Sequence, residues 1–497
     1  MKPLAIRSFH SLPLVLGAAL LAGCMVGPDF HRPTPPKVER YTAQPLPATL
    51  GSGDDAQRLV AGQDVPAQWW MLFHSEQLDA LIAQALQANP SLAAAQAALR
   101  QAQEAQAAGR GALYPSASAD YNVSRQRVAG TLASPAASGY DYYTLHTAQL
   151  SVSWAPDLFG GSRRQLEALR AQTDVQRYQL EATKLSLASN VAVGAINAAS
   201  LRAQIAATQA IVDSQRQTLD SLRRQFTLGA VPEAAVAAQQ ATLAQAQATL
   251  PPLQKQLAQQ DDALAALLGR APADMPDTTL DLANLHLPAE LPLSLPSRLV
   301  EQRPDVRAAE AQLHAASAEV GVAEANRLPR FTLSANAGSS PTKISDLFSH
   351  GTVFWNLAAD VSQPLFDAGS LKHQQRAAEA ALDAAKAQYR GTVIAALQNV
   401  ADSLYALKSD ADGLAATQVA EQAAARSLAI AQKQFALGDL DHLAVLQAEQ
   451  VQQQAAITLV QAQASRYGDT VALYQALGGG WWQQPSVTVA PAKAGAQ

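Results

Sequence analysis

The chain has 497 residues, a formal net charge of −5, 15% charged and 5% aromatic residues. It therefore carries neither the basic footprint of a nucleic-acid binder nor the bulky side chains of one large globular core. A single cysteine excludes a disulfide framework within the chain, and no run of about 20 apolar residues follows the N-terminal segment, so a membrane crossing has to be made by strands.

The first element is a secretory signal. Lys2 and Arg7 precede an apolar stretch at residues 12–21 that is too short to span a bilayer as a helix. It ends in Leu21-Ala22-Gly23-Cys24, which resembles the bacterial lipobox, whose cysteine receives N-acyl and S-diacylglycerol lipid and becomes the first mature residue. Met25 stands where an aspartate would favour the inner membrane, so delivery to the outer membrane is expected.

The rest of the chain repeats itself. Asn89-Pro90-Ser91-Leu92 opens an alanine-rich helical run, and Arg303-Pro304-Asp305-Val306 opens another, 214 positions on from Pro90 to Pro304. The runs stop at Pro115 and Pro329, again 214 apart. Leu158-Phe159 then answers Leu365-Phe366 (207), Gly161-Ser162 answers Gly369-Ser370 (208), and Leu268-Gly269 answers Leu477-Gly478 (209). Ordered landmarks with so little drift mark an internal duplication.

Between the prolines lie four segments that alternate apolar and polar residues. Ala117, Ala119, Tyr121 and Val123 share one side of the first, and Ala148, Leu150, Val152 and Trp154 one side of the second. Phe331, Leu333, Ala335 and Ala337 do so in the third, and Trp355, Leu357, Ala359 and Val361 in the fourth. The opposite sides carry mostly small hydroxyls and amides. Strands are expected at about 116–128, 142–154, 331–339 and 353–362, with lipid on one side and a wet lumen on the other. Four strands cannot close a barrel and an open edge in lipid leaves backbone groups unsatisfied, so the chain is expected to oligomerise. The Gly-, Ser-, Ala- and Pro-rich links at 128–140 and 339–351 would face the outside.

After Gly161 the pattern turns helical to about Phe226, some 65 residues or roughly 100 Å. A heptad seam runs through Leu201, Ile205, Thr208, Val212, Gln215, Leu219, Leu222 and Phe226. A returning helix of the second copy carries another through Leu443, Leu446, Gln450, Gln453, Ile457, Val460, Ala464, Tyr467, Val471 and Tyr474. These seams predict antiparallel helical hairpins packed as coiled coils. The hairpins turn at Thr227-Leu228-Gly229-Ala230-Val231-Pro232 and Ala436-Leu437-Gly438-Asp439-Leu440-Asp441, where glycine permits a left-handed helix exit.

The acylated cysteine followed by Gly27-Pro28-Asp29-Phe30 and Arg32-Pro33, the duplicated helix-strand-strand-helix order, the paired Phe-x-Leu-Gly turns and the terminal Leu477-Gly478-Gly479-Gly480-Trp481 resemble the outer membrane factor family. These are the TolC- and OprM-like channels of tripartite efflux pumps. The resemblance implies a mixed α+β membrane protein: a homotrimer whose 12-stranded transmembrane β-barrel, four strands per chain, continues into a long α-helical periplasmic barrel. It implies a passive exit duct for small molecules delivered by an inner-membrane pump, RND-type or similar, through a periplasmic adaptor. Adaptor docking would fall on Phe226, Leu228, Gly229, Phe435, Leu437 and Gly438. The division expected is a signal at 1–23, an anchor and equatorial segment at 24–75, a first repeat at 76–269, an equatorial linker at 270–297, a second repeat at 298–478 and a tail at 479–497. Trp69-Trp70 would pack in the equatorial belt, to which residues 28–70 would contribute.

One departure from the family pattern concerns the periplasmic aperture. Relatives commonly close it with a leucine, an aspartate one turn on and a nearby arginine; the matching positions here are Leu443, Gln447 and Gln450. Rings of carboxylates favour cations, so weaker cation selectivity is expected, with Asp439 and Asp441 near enough to substitute in part.

The nine histidines form no zinc motif, and neither a P-loop nor a Gly-x-Ser-x-Gly elbow occurs. No catalysis, metal or cofactor beyond the lipid on Cys24 is expected. Three other roles are compatible with a lipoprotein rich in long helices. A periplasmic adaptor lipoprotein would have one hairpin rather than two copies with inserted strands, and a structural coiled-coil lipoprotein has no use for lipid-facing strands. Service to a type I protein-secretion system would stay within the family.

Overall fold

The computed structural model describes residues 25–127, 142–275 and 280–483; Cys24 and the 128–140 link lie outside the described residues. The strands in chain order are β1 (Thr49–Leu50), β2 (Gln57–Ala61), β3 (Ser116–Arg127), β4 (Tyr142–Trp154), β5 (Glu290–Leu293), β6 (Arg330–Ser339) and β7 (Val353–Ser362). The α-helices are α1 (Glu76–Ala88), α2 (Pro90–Arg110), α3 (Gly161–Thr227), α4 (Glu233–Leu267), α5 (Pro296–Gln302), α6 (Pro304–Ala325), α7 (Ser370–Leu437) and α8 (His442–Ala476).

Prolines and short polar side chains set the helix starts. Ser75 Oγ accepts the Leu78 N–H at 3.3 Å before α1, and Asn89 Oδ1 accepts those of Ser91 and Leu92 at 2.9 and 3.2 Å where Pro90 opens α2. Asp441 Oδ1 caps α8 through the Ala444 N–H at 3.0 Å. α3 and α7 have 67 and 68 residues, about 100 Å each at the helical rise. α4 and α8 return over 35 residues each, and α4 stays helical through Pro251 and Pro252.

The chain groups into two compact units, each drawn from both copies of the repeat. The first takes Met1–Pro33, Ala98–Gln176 and Ala308–Tyr389; the second takes Thr34–Ala97, Arg177–Arg307 and Arg390–Gln497. The units thus cut across the duplication, because α3 and α7 contribute residues to both.

The first unit holds a four-stranded antiparallel sheet in the order β3-β4-β6-β7. Its register puts Ala117 opposite Val152, Ala119 opposite Leu150, Leu150 opposite Ala337, Trp154 opposite Leu333, Ala337 opposite Trp355 and Phe331 opposite Val361. Because facing residues share a side of the sheet, all four apolar sides fall on one face. Ser118, Ser151, Asn336 and Asn356 fall on the other. Trp355, Leu357 and Val361 are exposed on the apolar face. β3 and β7 are the sheet's edges, each with no strand on its outer side among the described residues.

The second unit contains a sheet that the sequence patterns did not indicate, β1-β2-β5, with β2 antiparallel to β1 and parallel to β5. It joins the anchor segment to the 270–297 linker. Trp69 is fully buried there, stacked on Tyr474 at 5.4 Å and edge-on to Phe73 at 6.4 Å. Residues up to Pro33 belong to the first unit.

Val212 and Leu219 of α3 pack against Leu243 and Ala246 of α4. Of the predicted α3 seam, Thr208, Val212, Gln215, Leu219 and Leu222 are buried, whereas Phe226 is exposed. The α8 seam holds at Leu446, Ala464, Tyr467, Val471 and Tyr474 but not at Leu443 and Gln450, which are exposed while their neighbours Val445 and Glu449 are buried. An α-helix drifts by about 20° per heptad against a strict repeat, so over five turns the buried stripe leaves the predicted positions.

Candidate functional site

The two hairpin turns of the second unit have the same backbone. In the first, the Gly229 N–H donates to the Phe226 carbonyl at 2.9 Å and the Ala230 N–H to that of Gln225 at 2.9 Å. In the second, the Gly438 and Asp439 N–H groups donate to Phe435 and Gln434, both at 3.0 Å. Each is a Schellman closure, with Gly229 at φ +70° and Gly438 at φ +81° in the left-handed region that glycine enters without strain. The closures leave Leu228 and Leu437 protruding, 83% and 70% exposed. Phe226 is also exposed, whereas the Phe435 ring is half-buried, 5.4 Å from that of His442.

Leu443, Gln447 and Gln450 are exposed on one stripe of α8, spaced by four and three residues. Behind them, His442 Nε2 meets Gln239 Oε1 of α4 at 3.1 Å, and Gln239 Nε2 donates to the Gln215 carbonyl of α3 at 3.1 Å. Burial pushes the His442 pKa down, outweighing the upward pull of Asp441. The neutral imidazole is thereby favoured. Burial also pushes the Glu449 carboxyl up, against a hydrogen bond from Gln432.

Higher on the hairpin the second unit buries a complete guanidinium. Arg466 has no exposed surface; it donates to the Leu407 carbonyl and, at 3.4 Å, to that of Leu50. Desolvation pushes its pKa down while Asp410, Asp55 and Asp469 pull it up. Asp410 of α7 shares a hydrogen bond with Asp469 of α8, and burial together with that neighbouring carboxylate pushes its pKa up to about 7.

In the first unit, the segment just after Cys24 is strapped to α3 and α6. Arg164, 1% exposed, donates to the Val26 carbonyl at 3.0 Å, the Gly27 carbonyl at 3.1 Å, Asp29 Oδ1 at 2.7 Å and Glu167 Oε2 at 2.8 Å. Phe30 stacks on His314 at 4.3 Å, whose Nε2 meets Glu167 Oε1 at 2.8 Å, and Arg32 pairs with Glu310 at 3.0 Å. Two glycines permit the approach. A Cβ on Gly27, at φ +89°, would lie 2.3 Å from the Gly321 Cα, and one on Gly321 would lie 2.9 Å from the Val26 carbonyl oxygen. The Gly27-Pro28-Asp29-Phe30 signature marked this segment in the sequence, but its partners stand more than 130 positions away.

Among the described residues no group of three or more His, Cys, Asp or Glu side chains is placed to hold a metal ion. No described helix is long and apolar enough to cross a membrane.

The family model described as "Outer membrane efflux protein" matches residues 81–270 and 295–479. Over 477 residues the chain is 30% identical to the probable efflux pump outer membrane protein TtgC of Pseudomonas putida, covering 95% of this chain and 96% of that one. It is 31% identical over 446 residues to the pyoverdine export outer membrane protein OpmQ of the same species, covering 88% and 94%. Among solved structures, the outer-membrane channel OprN superposes with a TM-score of 0.81 at 26% identity, covering 92% of this chain and all of that one. The open state of the Neisseria gonorrhoeae MtrE channel gives 0.79 at 26% identity, covering 92% and 99%.

Proposed function

The chain belongs to the outer membrane efflux protein family, and from that premise we propose that it is the outer-membrane exit duct of a tripartite efflux system, a homotrimer fed by a periplasmic adaptor and an inner-membrane pump. The observation that carries the trimer is the sheet. All four apolar sides share one face while β3 and β7 remain edges, and an edge in lipid leaves each backbone group unsatisfied at several kcal/mol. The β4·β6 junction already joins the last strand of one copy to the first strand of the next. Repeating that junction between chains, with β7 of one protomer beside β3 of another, closes twelve strands around a polar lumen after three chains.

Cys24 carries the lipid in this reading, and the strap through Arg164 holds its neighbours against α3. The tips at Phe226, Leu228, Gly229 and at Phe435, Leu437, Gly438 receive the adaptor, since exposed leucines on rigid closures offer apolar anchors that need little ordering on binding. Leu443, Gln447 and Gln450 line the periplasmic aperture. Transport is passive, with energy from the pump. The relatives' printed roles, efflux and pyoverdine export, favour small molecules over a secreted protein as cargo.

The test is the mass of the species extracted from separated outer membranes. A heat-sensitive trimer that conducts in planar bilayers is expected; a monomer would leave the edges open and end the reading. The aperture has its own test. Gln447→Asp places three carboxylates in the trimer's entrance and should raise cation over anion permeability and sensitivity to divalent block. Unchanged conductance and block would put the constriction elsewhere.

A further inference from the structure

The apolar face of the sheet does not stay apolar to its end. After Ala117, Ala119, Tyr121 and Val123, the same side of β3 continues with Arg125 and Arg127, both exposed. Opposite them on β4 stand Thr144 and Tyr142, with His146 opposite Val123. The Arg127 guanidinium lies over the Tyr142 ring at 5.3 Å, and Tyr121 Oη meets His146 Nδ1 at 2.9 Å. We propose that this basic and aromatic rim binds the phosphate groups of lipid A, the phosphorylated glycolipid of the outer leaflet. The proposal rests on the barrel reading above.

Height argues for it. A strand rises about 3.3 Å per residue, or about 2.5 Å along the membrane normal at a barrel tilt of about 40°. Arg125 and Arg127 then stand about 20 and 25 Å above Ala117, the thickness of an outer-membrane barrel's apolar band. They therefore sit at the outer edge of the hydrocarbon, where a phosphate is at hand. The other boundary is marked by Trp154, at the helix-linked end of β4 on the same face.

Charge complementarity points the same way. No carboxylate occupies an outward position of the described strands, since Asp120 and Asp360 both alternate to the polar face. Guanidinium groups two residues apart on a strand point to one side, and each can bind phosphate oxygens through paired N–H donors. The duplication supplies an internal control. The positions matching Arg125 and Arg127 at the offset of 214 are Ser339 and Pro341, so the basic pair is not a requirement of the strand itself. It is an addition to one copy.

The experiment titrates the detergent-purified full-length trimer with fluorescent bisphosphoryl lipid A, comparing wild type, R125Q/R127Q and R330Q, the last at the opposite end of the sheet. Wild type and R330Q should bind saturably, and the double variant at least tenfold more weakly; monophosphoryl lipid A should compete less well than the bisphosphoryl form. Equal binding by the double variant, equal loss in R330Q, or equal competition by phosphatidylglycerol overturns the site. Heat-sensitive trimer is scored on the same samples. An intact trimer with unaltered affinity removes the site alone, whereas a wild-type protein that forms no trimer removes the barrel reading beneath it. If the double variant yields no trimer, R125Q by itself should lower affinity at least threefold, and undiminished binding overturns the proposal.

Discussion

Replacing Arg466 by alanine is expected to destabilise the second unit by about 3–5 kcal/mol, the range for removing one partner of a buried charged cluster. The guanidinium has no exposed surface and donates to the carbonyls of Leu407 and Leu50. Its loss removes both of these hydrogen bonds, opens a cavity, and takes away the cation that offsets Asp410, Asp55 and Asp469. Thermal unfolding in detergent, followed at pH 5 and pH 8, should show the variant melting earlier at both and more so at pH 8. The sign comes from Asp410. Its folded pKa, about 7, lies above its ordinary value of 3.8, so its contribution to stability is fully present below about pH 4 and is lost as pH rises through about 7. Asp410→Asn keeps a donor toward Asp469 without the charge. It should stabilise the protein at pH 8, on the order of 1 kcal/mol for a partly solvated group, and give no gain at pH 4. An equal gain at both would mean that the carboxylate pair is not the cause.

The second large effect belongs to the strap. Gly27→Ala adds one carbon 2.3 Å from the Gly321 backbone at a residue with φ +89°, combining backbone strain with overpacking, together about 2–4 kcal/mol. Neither atom in the clash is the free end of a side chain, so relief requires the segment to lift away from α3 and α6. Hydrogen exchange at the Val26 N–H, which donates to the Phe159 carbonyl at 3.1 Å, should rise by two to three orders of magnitude. Arg164→Ala should raise it too, because three hydrogen bonds to the segment go together. Protection equal to wild type in Gly27→Ala would show that the close approach is dispensable.

Much of this was legible in the sequence because the signals were periodic or repeated. The four strands of the first unit announced themselves through alternation over ten or more residues, and the turns through glycine at matching places. β1, β2 and β5 did not, having only two, five and four residues, too few for period two to be read. The strap and the Arg466 cluster were hidden for another reason. Both are polar contacts between residues far apart in sequence, and an isolated arginine in an amphipathic helix looks like any solvated one until the fold buries it. The α8 seam was read correctly where Leu446, Tyr467, Val471 and Tyr474 are packed and misread at Leu443 and Gln450, where helical drift turns the stripe.

The duplication is faithful in outline but not in stiffness. Pro251 and Pro252 deprive the Gln247 and Ala248 carbonyls of their helical donors, while Val460 and Gln461 at the matching positions of α8 keep the ladder complete. Of the two returning helices α4 is therefore the more compliant, and a load applied at both hairpin tips would be absorbed unequally. In a trimer, six similar hairpins would flex as three soft and three rigid struts, so dilation of the entrance would follow a threefold mechanical pattern even where the backbone approaches sixfold regularity.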